Sequence, residues 1–537
     1  MPMRAAKYID IHLHPHGRSF NYLRNSKGYA SEHYHPWTGI RSNIKKREKA
    51  KRAFSYAQSS LPQCWNGNCA VVFASIYPFE KGFFIGGGKL DTEIFHSLNA
   101  FLDRFGILGE IAGTLIDKIS GLLFSSEYNR LSAKDFLKST LMRLPMKRIK
   151  FIQSPAYDYW EETKEEIDFL YTKSGKETGS RIMRRNLRGE LKRPDPTEQA
   201  KGTYVIANNA AEVRESLQKG QMSMILTIEG MHALGTEGQL HHLFDRIAHL
   251  KENYPICFIT FAHHFDNFLC GHAHSLIKSA RLFVNQKQGM QADFNELGLA
   301  AARYLLSLRP DNRKNLQGLG KRILLDVKHM GAESRKSYYD KIVRPCLAQH
   351  QDVIPVIASH VGYSGVGTLD KLIANWNMDK EEDGIVLFEG LNHWNINVCD
   401  EDIAIILQTG GLLGLCLDQR ILGQQDKKAV PGKTLIRHNL KRLLHNLHHH
   451  SGLTEAEKAR IWEVLCIGSD FEGYIDPAAD YATVIDFKKL EKDLEEIIAG
   501  FVQEGLQEAF YIQKSPALLA RDIMMENVMR FLDRNFK

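Results

Sequence analysis

Eight short apolar runs rich in β-branched residues recur along this chain, separated by stretches with helical periodicity. The runs are YIDIHLH (8–14), CAVVFASIY (69–77), MSMILTIEG (222–230), ICFITFAH (256–263), RILLDVKH (322–329), VIPVIASH (353–360), GLLGLCLD (411–418) and LCIGSDF (465–471). Most are continuously hydrophobic, as strands of a parallel sheet covered on both faces must be. Strand and helix alternating eight times predict a (β/α)8 barrel, with a doubly wound open sheet as the competing arrangement. At 537 residues the chain exceeds the roughly 250 of a plain barrel. The surplus falls in insertions at about 78–221, 271–292 and 421–460 and in C-terminal helices. No repeat or low-complexity linker divides the chain, so one domain spanning 1–537 is expected.

Six of the eight runs end in a residue that binds metals or handles protons: His12 with His14, Glu229, His263, His329, His360 and Asp470. In a parallel barrel the C-terminal strand ends share one rim, where active sites of this fold lie. Side chains far apart in sequence are thus expected to converge. The spacing in His12-Leu13-His14 puts both imidazoles on one side of a strand, although a hydrogen-bonded pair before Pro15 would look the same. Glu229 closes a run with no other charge, and burying a carboxylate without cations or donors is costly. A bridge between metals or a buried salt bridge would both satisfy it, and Asp470 poses the same choice. His329 and His360, on successive strands, favour a binuclear site. Asp326 is placed to support them, and Asp10 either orients a ligand or joins an ion pair.

Other features read more plainly. His272 and His274 suit a loop role, and the tract His445 to His450 a helix surface. Gly86 to Gly88 lack the Lys-Ser/Thr of a phosphate loop. The net charge of +7 comes partly from KKREKAKR (45–52) and RRNLRGELKR (184–193), neither with stacking aromatics, so nucleic acid and membrane surfaces are not expected partners. The stretch ILGEIAGTLIDKISGLL (107–123) carries three charges and reads as amphipathic. Without a basic-then-apolar leader, and with eight scattered cysteines, the expectation is a reduced, cytoplasmic protein in which Cys64 and Cys69 stay unpaired.

With TIEGMHAL, FITFAHH, ILLDVKHMGAESRKSYYD, PVIASHVG, NVCDEDIAIILQTGGLLGL, IGSDFEG and ENVMRFL in view, the chain resembles the membrane (renal) dipeptidase family of metal-dependent amidohydrolases. The resemblance runs from the first strand to the last helix. It implies a barrel holding two divalent metal ions, zinc by the all-nitrogen-and-oxygen donor set, with manganese, cobalt and iron as alternatives. It assigns Glu229 as the bridge, His12, His14 and Asp470 to one ion, and His329 and His360 to the other. His263 would bind substrate and donate to the developing oxyanion, and Asp470 would move the proton. The substrate would be a small molecule, a dipeptide or an N-acyl amino acid, and a homodimer is compatible.

Two departures stand out. The family's first motif reads His-x-Asp where this chain has His12-x-His14, one negative charge fewer. The family's arginine that clamps the substrate carboxylate is here Ile396, before Asn397, and isoleucine makes no bidentate pair. Arg420 is the candidate replacement. A lactonase or deaminase reaction, or a non-catalytic metal-binding barrel, are the competing readings.

Overall fold

Eight parallel strands close into a ring in the computed structural model. They are β1 (Tyr8–Leu13), β2 (Cys69–Ile76), β3 (Met222–Glu229), β4 (Ile256–Thr260), β5 (Leu324–Asp326), β6 (Ile357–Val361), β7 (Leu412–Leu415) and β8 (Leu465–Ile467). Each pairs in parallel with the next in chain order. The ring shuts through a parallel bridge between Leu13 and Phe471, with Asp470 N donating to His12 O at 2.9 Å and His14 N to Phe471 O at 2.9 Å. This is a (β/α)8 barrel, not an open doubly wound sheet. The structure describes residues 7–23, 34–41, 57–85, 144, 146–179, 182–185, 191–195, 200–276, 284–375, 387–388, 390–424 and 430–537. The stretches 45–52, 86–88 and 107–123, and part of 184–193, lie outside them.

Why these runs form strands follows from burial. Every residue of β1, β2 and β3 is buried, so both faces meet side chains and no polar alternation develops. The hydrogen-bonded strands are shorter than the apolar runs. RILLDVKH pairs only over Leu324–Asp326, VIPVIASH only from Ile357, and LCIGSDF only over Leu465–Ile467. A short three-residue strand, Tyr204–Ile206, adds to the outside of β3.

Helices cover the ring. Leu243–Asn253 links β3 to β4, Glu296–Leu305 links β4 to β5, and Asp400–Thr409 precedes β7. Asn295 starts the second of these by accepting from Gly298 N at 2.8 Å, which satisfies one of the first-turn amides. The 421–460 insertion is largely helical, with Gly432–His448 and Glu455–Ala459. Within 78–221, helix Tyr159–Tyr171 is fastened beside the mouth: Thr163 Oγ1 donates to Ala233 O at 3.0 Å, and His16 pairs with Glu166 at 2.7 Å. Phe79, Phe84, Ile149, Ile152 and Tyr157 form a second small core there. No helix among the described residues is long and apolar enough to cross a membrane. All eight cysteines are buried free thiols, Cys64 and Cys69 included.

Candidate metal centre

The carboxylate of Glu229, the last residue of β3, lies at the middle of the barrel mouth. Its Oε1 is 3.1 Å from His12 Nε2, 3.5 Å from His263 Nε2, 3.6 Å from His329 Nε2 and 3.7 Å from His360 Nε2. Its Oε2 is 3.2 Å from His14 Nε2. Asp470 Oδ1 stands 3.9 Å from His12 Nε2 and 4.0 Å from His14 Nε2. Two of the groups formed here are His12, His14 and Asp470, and Glu229, His329 and His360, with ligand atoms within 4.8 Å of one another in each. His263, His264 and His329 make another such group, as do His12, Asp326 and His360.

Several of these atoms are buried and lack a hydrogen-bond partner: both ring nitrogens of His12, Nε2 of His14 and Nδ1 of His329. Buried nitrogens are rarely left so. Cations coordinated between the two carboxylates and the Nε2 atoms of His12 and His14 would satisfy those two nitrogens, so the donor set fits a pair of divalent ions. The supporting bonds fix the rings for that task. His14 Nδ1 donates to Ser75 O at 3.0 Å, which leaves the Nε2 lone pair facing Glu229. His360 Nδ1 donates to Ser359 Oγ (2.8 Å), and that hydroxyl donates to Asp326 Oδ2 (2.5 Å), again freeing Nε2. Asp326 also accepts from Thr260 Oγ1 at 2.6 Å and so ties β4, β5 and β6 together. Asp10 forms no ion pair among the described residues; it accepts from Ser469 N (3.0 Å), Ser469 Oγ and His12 N (3.2 Å), which sets the segment bearing Asp470 against β1.

Backbone conformation aims two of the side chains. His329 and Asp470 have φ of 65° and 60°, a left-handed region that costs a non-glycine residue about 1–3 kcal/mol. Gly468 permits the close approach behind Asp470, because a Cβ there would lie 1.7 Å from Ser359 O.

Electrostatics follow from burial and proximity. Burial lowers the pKa of His329 and His360 well below the ordinary value, with neighbouring cationic groups adding to it, so both rings are neutral and able to ligate. Burial opposes ionisation of Glu229, but His263 and His12 outweigh it and hold the carboxyl well below its usual range. Asp470 is pushed well up by burial and by Glu229. His263 rises to about 10: burial alone would lower it, and the carboxylates of Glu229 and Glu80 overcome that.

Glu80 escaped the sequence reading. Its Oε2 accepts from His263 Nδ1 at 2.6 Å and its Oε1 from Phe265 N at 3.1 Å, so it sets the plane of the His263 ring. The available signal was a carboxylate just past an apolar run, FASIYPFE, the pattern already noted for Glu229. Lys328, buried beside His329, was also passed over.

Arg420 lies near the mouth, but its guanidinium is engaged: Nε is 2.9 and 3.0 Å from the two Asp418 oxygens. A substrate carboxylate would have to displace Asp418. Ile396 sits in an apolar cluster with Ala273, Trp394, Cys416 and Ile421. His272 and His274 are buried in the loop after β4, with His272 bonded to the carbonyls of Ala273 and Gln288. His445 and His449 stand on the exposed end of helix Gly432–His448 and beyond it.

No family model matches the chain, and no curated relative does. Among solved structures it is similar to dipeptidase AC, a metallopeptidase of peptidase family M19, at 15% identity over 99% of both chains with a TM-score of 0.49. It is similar as well to a metallopeptidase from Rhodobacter sphaeroides liganded with a phosphinate mimic of the dipeptide L-Ala-D-Ala, at 16% identity, 99% and 100% coverage and a TM-score of 0.47. A probable dipeptidase from Pseudomonas aeruginosa, PvdM, aligns at 11% identity over 93% and 95% of the two chains with a TM-score of 0.39. Along nearly its whole length the chain is thus similar to structures that carry the names of dipeptidases and metallopeptidases.

Proposed function

We propose that this protein is a metal-dependent hydrolase that cleaves an amide bond in a dipeptide or an N-acyl amino acid. The observation that carries the reading is the Glu229 carboxylate set among five imidazoles, with buried ring nitrogens that nothing else satisfies. Glu229 would lie between two divalent cations, zinc for this donor set, with His12, His14 and Asp470 on one side and His329 and His360 on the other. Such a pair acidifies water and polarises a carbonyl when bound.

The chain's own groups do the rest. His263, protonated and oriented by Glu80, offers Nε2–H to the oxygen on which charge builds in the transition state. Asp470 accepts the proton released by the attacking water and returns it to the nitrogen as the C–N bond breaks.

Two variants test the assignment. His329→Ala and His360→Ala should each abolish turnover and lower the metal content of the purified protein. Wild-type turnover in either refutes the site. A panel of dipeptides, N-acyl amino acids, lactones and aminated bases assigns the bond; activity on lactones or bases alone would replace the amide reading.

A further inference from the structure

The histidine tract at the end of helix Gly432–His448 lies outside the candidate metal centre and takes no part in the mechanism above. His445 and His449 are four residues apart, and the turn between them is still closed, with His449 N donating to His445 O at 3.4 Å. That spacing puts both side chains on one face of the helix, the arrangement in which two helical histidines share a metal ion. Both residues are exposed, and their rings meet edge to face, with centroids 4.8 Å apart and planes at 73°. Among the described residues neither side chain forms a hydrogen bond or an ion pair.

The separation of the rings is what two ligands of one ion require. With a metal–nitrogen bond of about 2.0–2.1 Å, the centre of an imidazole lies about 3.2 Å from its ion. Two such rings with centres 4.8 Å apart subtend about 97° at a common ion, close to tetrahedral and square-planar angles. The surroundings suit a cation as well. The last turn of a helix carries the negative end of its dipole. Partial desolvation, then His449 and Arg442, lower the pKa of His445, which keeps its ring neutral and able to ligate. Lys441, on the same turn, pairs with Glu504 Oε2 at 2.7 Å.

The other two histidines of the tract are committed differently. His448 is half-buried and turned to Tyr511, with Nδ1 3.4 Å from a hydroxyl that itself donates to Glu455 Oε2 at 3.0 Å. His450 Nδ1 accepts from Gly452 N at 3.2 Å, so in its neutral form the ring presents only an N–H at Nε2.

We propose that His445 and His449 form a second metal site, on the surface, that takes one divalent transition-metal ion, Cu2+ most tightly and Ni2+ or Zn2+ less so, with water in its remaining positions. The site uses no residue of the barrel mouth and does not depend on the amide-hydrolase reading.

The test uses the full-length protein loaded with zinc, so that the mouth is filled before the surface is titrated. Calorimetry follows the addition of Ni2+ to the wild type and to His445→Ala, His449→Ala and His450→Ala. The wild type should take up one ion beyond the zinc already bound. His445→Ala and His449→Ala should each weaken that ion about 10–100-fold or more, because loss of even a group behind a ligand costs that much. His450→Ala should bind as the wild type does, and zinc content should be the same in all four proteins. A substoichiometric amount of Cu2+ should show, by electron paramagnetic resonance, two ring nitrogens on the ion in the wild type and one in His449→Ala. A wild type that takes up no further ion overturns the site, as does nickel binding undiminished in His445→Ala and His449→Ala. An equal loss in His450→Ala would place the ion elsewhere on the tract, and a loss of zinc together with nickel would place it in the mouth; either result also overturns the pair.

Discussion

The most direct consequence of the Glu229 arrangement is that metal should stabilise the folded protein by an amount the structure lets one work out. Zinc binds the folded mouth, where ligands from β1, β3, β5, β6 and β8 converge, and finds no such set in the unfolded chain. At a free concentration a thousandfold above Kd, each site adds about 4 kcal/mol. Unfolding entropy of about 2.1 cal/mol/K per residue comes to roughly 1.1 kcal/mol/K for 537 residues, so each site should raise the melting midpoint by about 4 °C. Both together should raise it by about 7 °C. The perturbation is His360→Ala, which takes a ligand from the second group and also the ring that stacks on His12 at 3.9 Å. Because stacking is lost with or without metal, each protein is compared with itself, in chelator and in zinc, by scanning calorimetry. The variant should lose at least half of the zinc-dependent rise, since the two sites share Glu229. A wild type whose midpoint ignores zinc, or a variant that keeps the whole rise, would show that these imidazoles do not hold ions together.

Three further outcomes follow from neighbouring contacts. Glu80→Gln should lower kcat about tenfold at unchanged metal content, since it loosens the His263 ring, whereas His263→Ala should cost about 100–1000-fold as loss of an oxyanion donor. In the metal-free protein burial alone would raise Glu80, but His263 and His232 hold it down to about 2 from 4.5, while His263 is held up to about 10 from 6.5. Glu80's contribution to stability is then present above pH 4.5 and lost as pH falls toward 2; that of His263 is complete below pH 6.5 and lost as pH rises toward 10. Melting midpoints of the chelated protein should show the pair's full effect between about pH 4.5 and 6.5, and a Glu80→Gln profile parallel to the wild type would contradict it. Gly468→Ala places a Cβ 1.7 Å from Ser359 O and should destabilise by about 1–3 kcal/mol in denaturant unfolding while reducing bound metal, because β8 can no longer bring Asp470 to the mouth.

What was legible in the sequence, and what was not, divides along a physical line. The eight strands could be read because a barrel strand is buried on both sides and so leaves an unbroken apolar run. The polar residues ending those runs could be read for the complementary reason: a carboxylate or imidazole there has no solvent to turn to and must have a partner. Strand bounds were overestimated because the chain leaves the ladder before the ligand is reached. His329 and Asp470 lie three residues beyond Asp326 and Ile467, the last residues of β5 and β8, in left-handed turns that composition does not announce. Partners far away in sequence left no trace either. Nothing near Asp10 points to Ser469, 459 positions on, although that contact sets Asp470 in place.

Lys328 shows where the reasoning was applied unevenly. The rule that singled out Glu229, a charge inside an apolar run, applies also to the lysine in LLDVKH, where Asp326 stands only two residues before it. Sign is what makes the lysine informative. A buried carboxylate beside imidazoles suggests metal, since cations would complete both. A buried ammonium beside the same imidazoles is disfavoured by any metal that arrives, and burial already lowers the pKa of Lys328, toward the neutral amine.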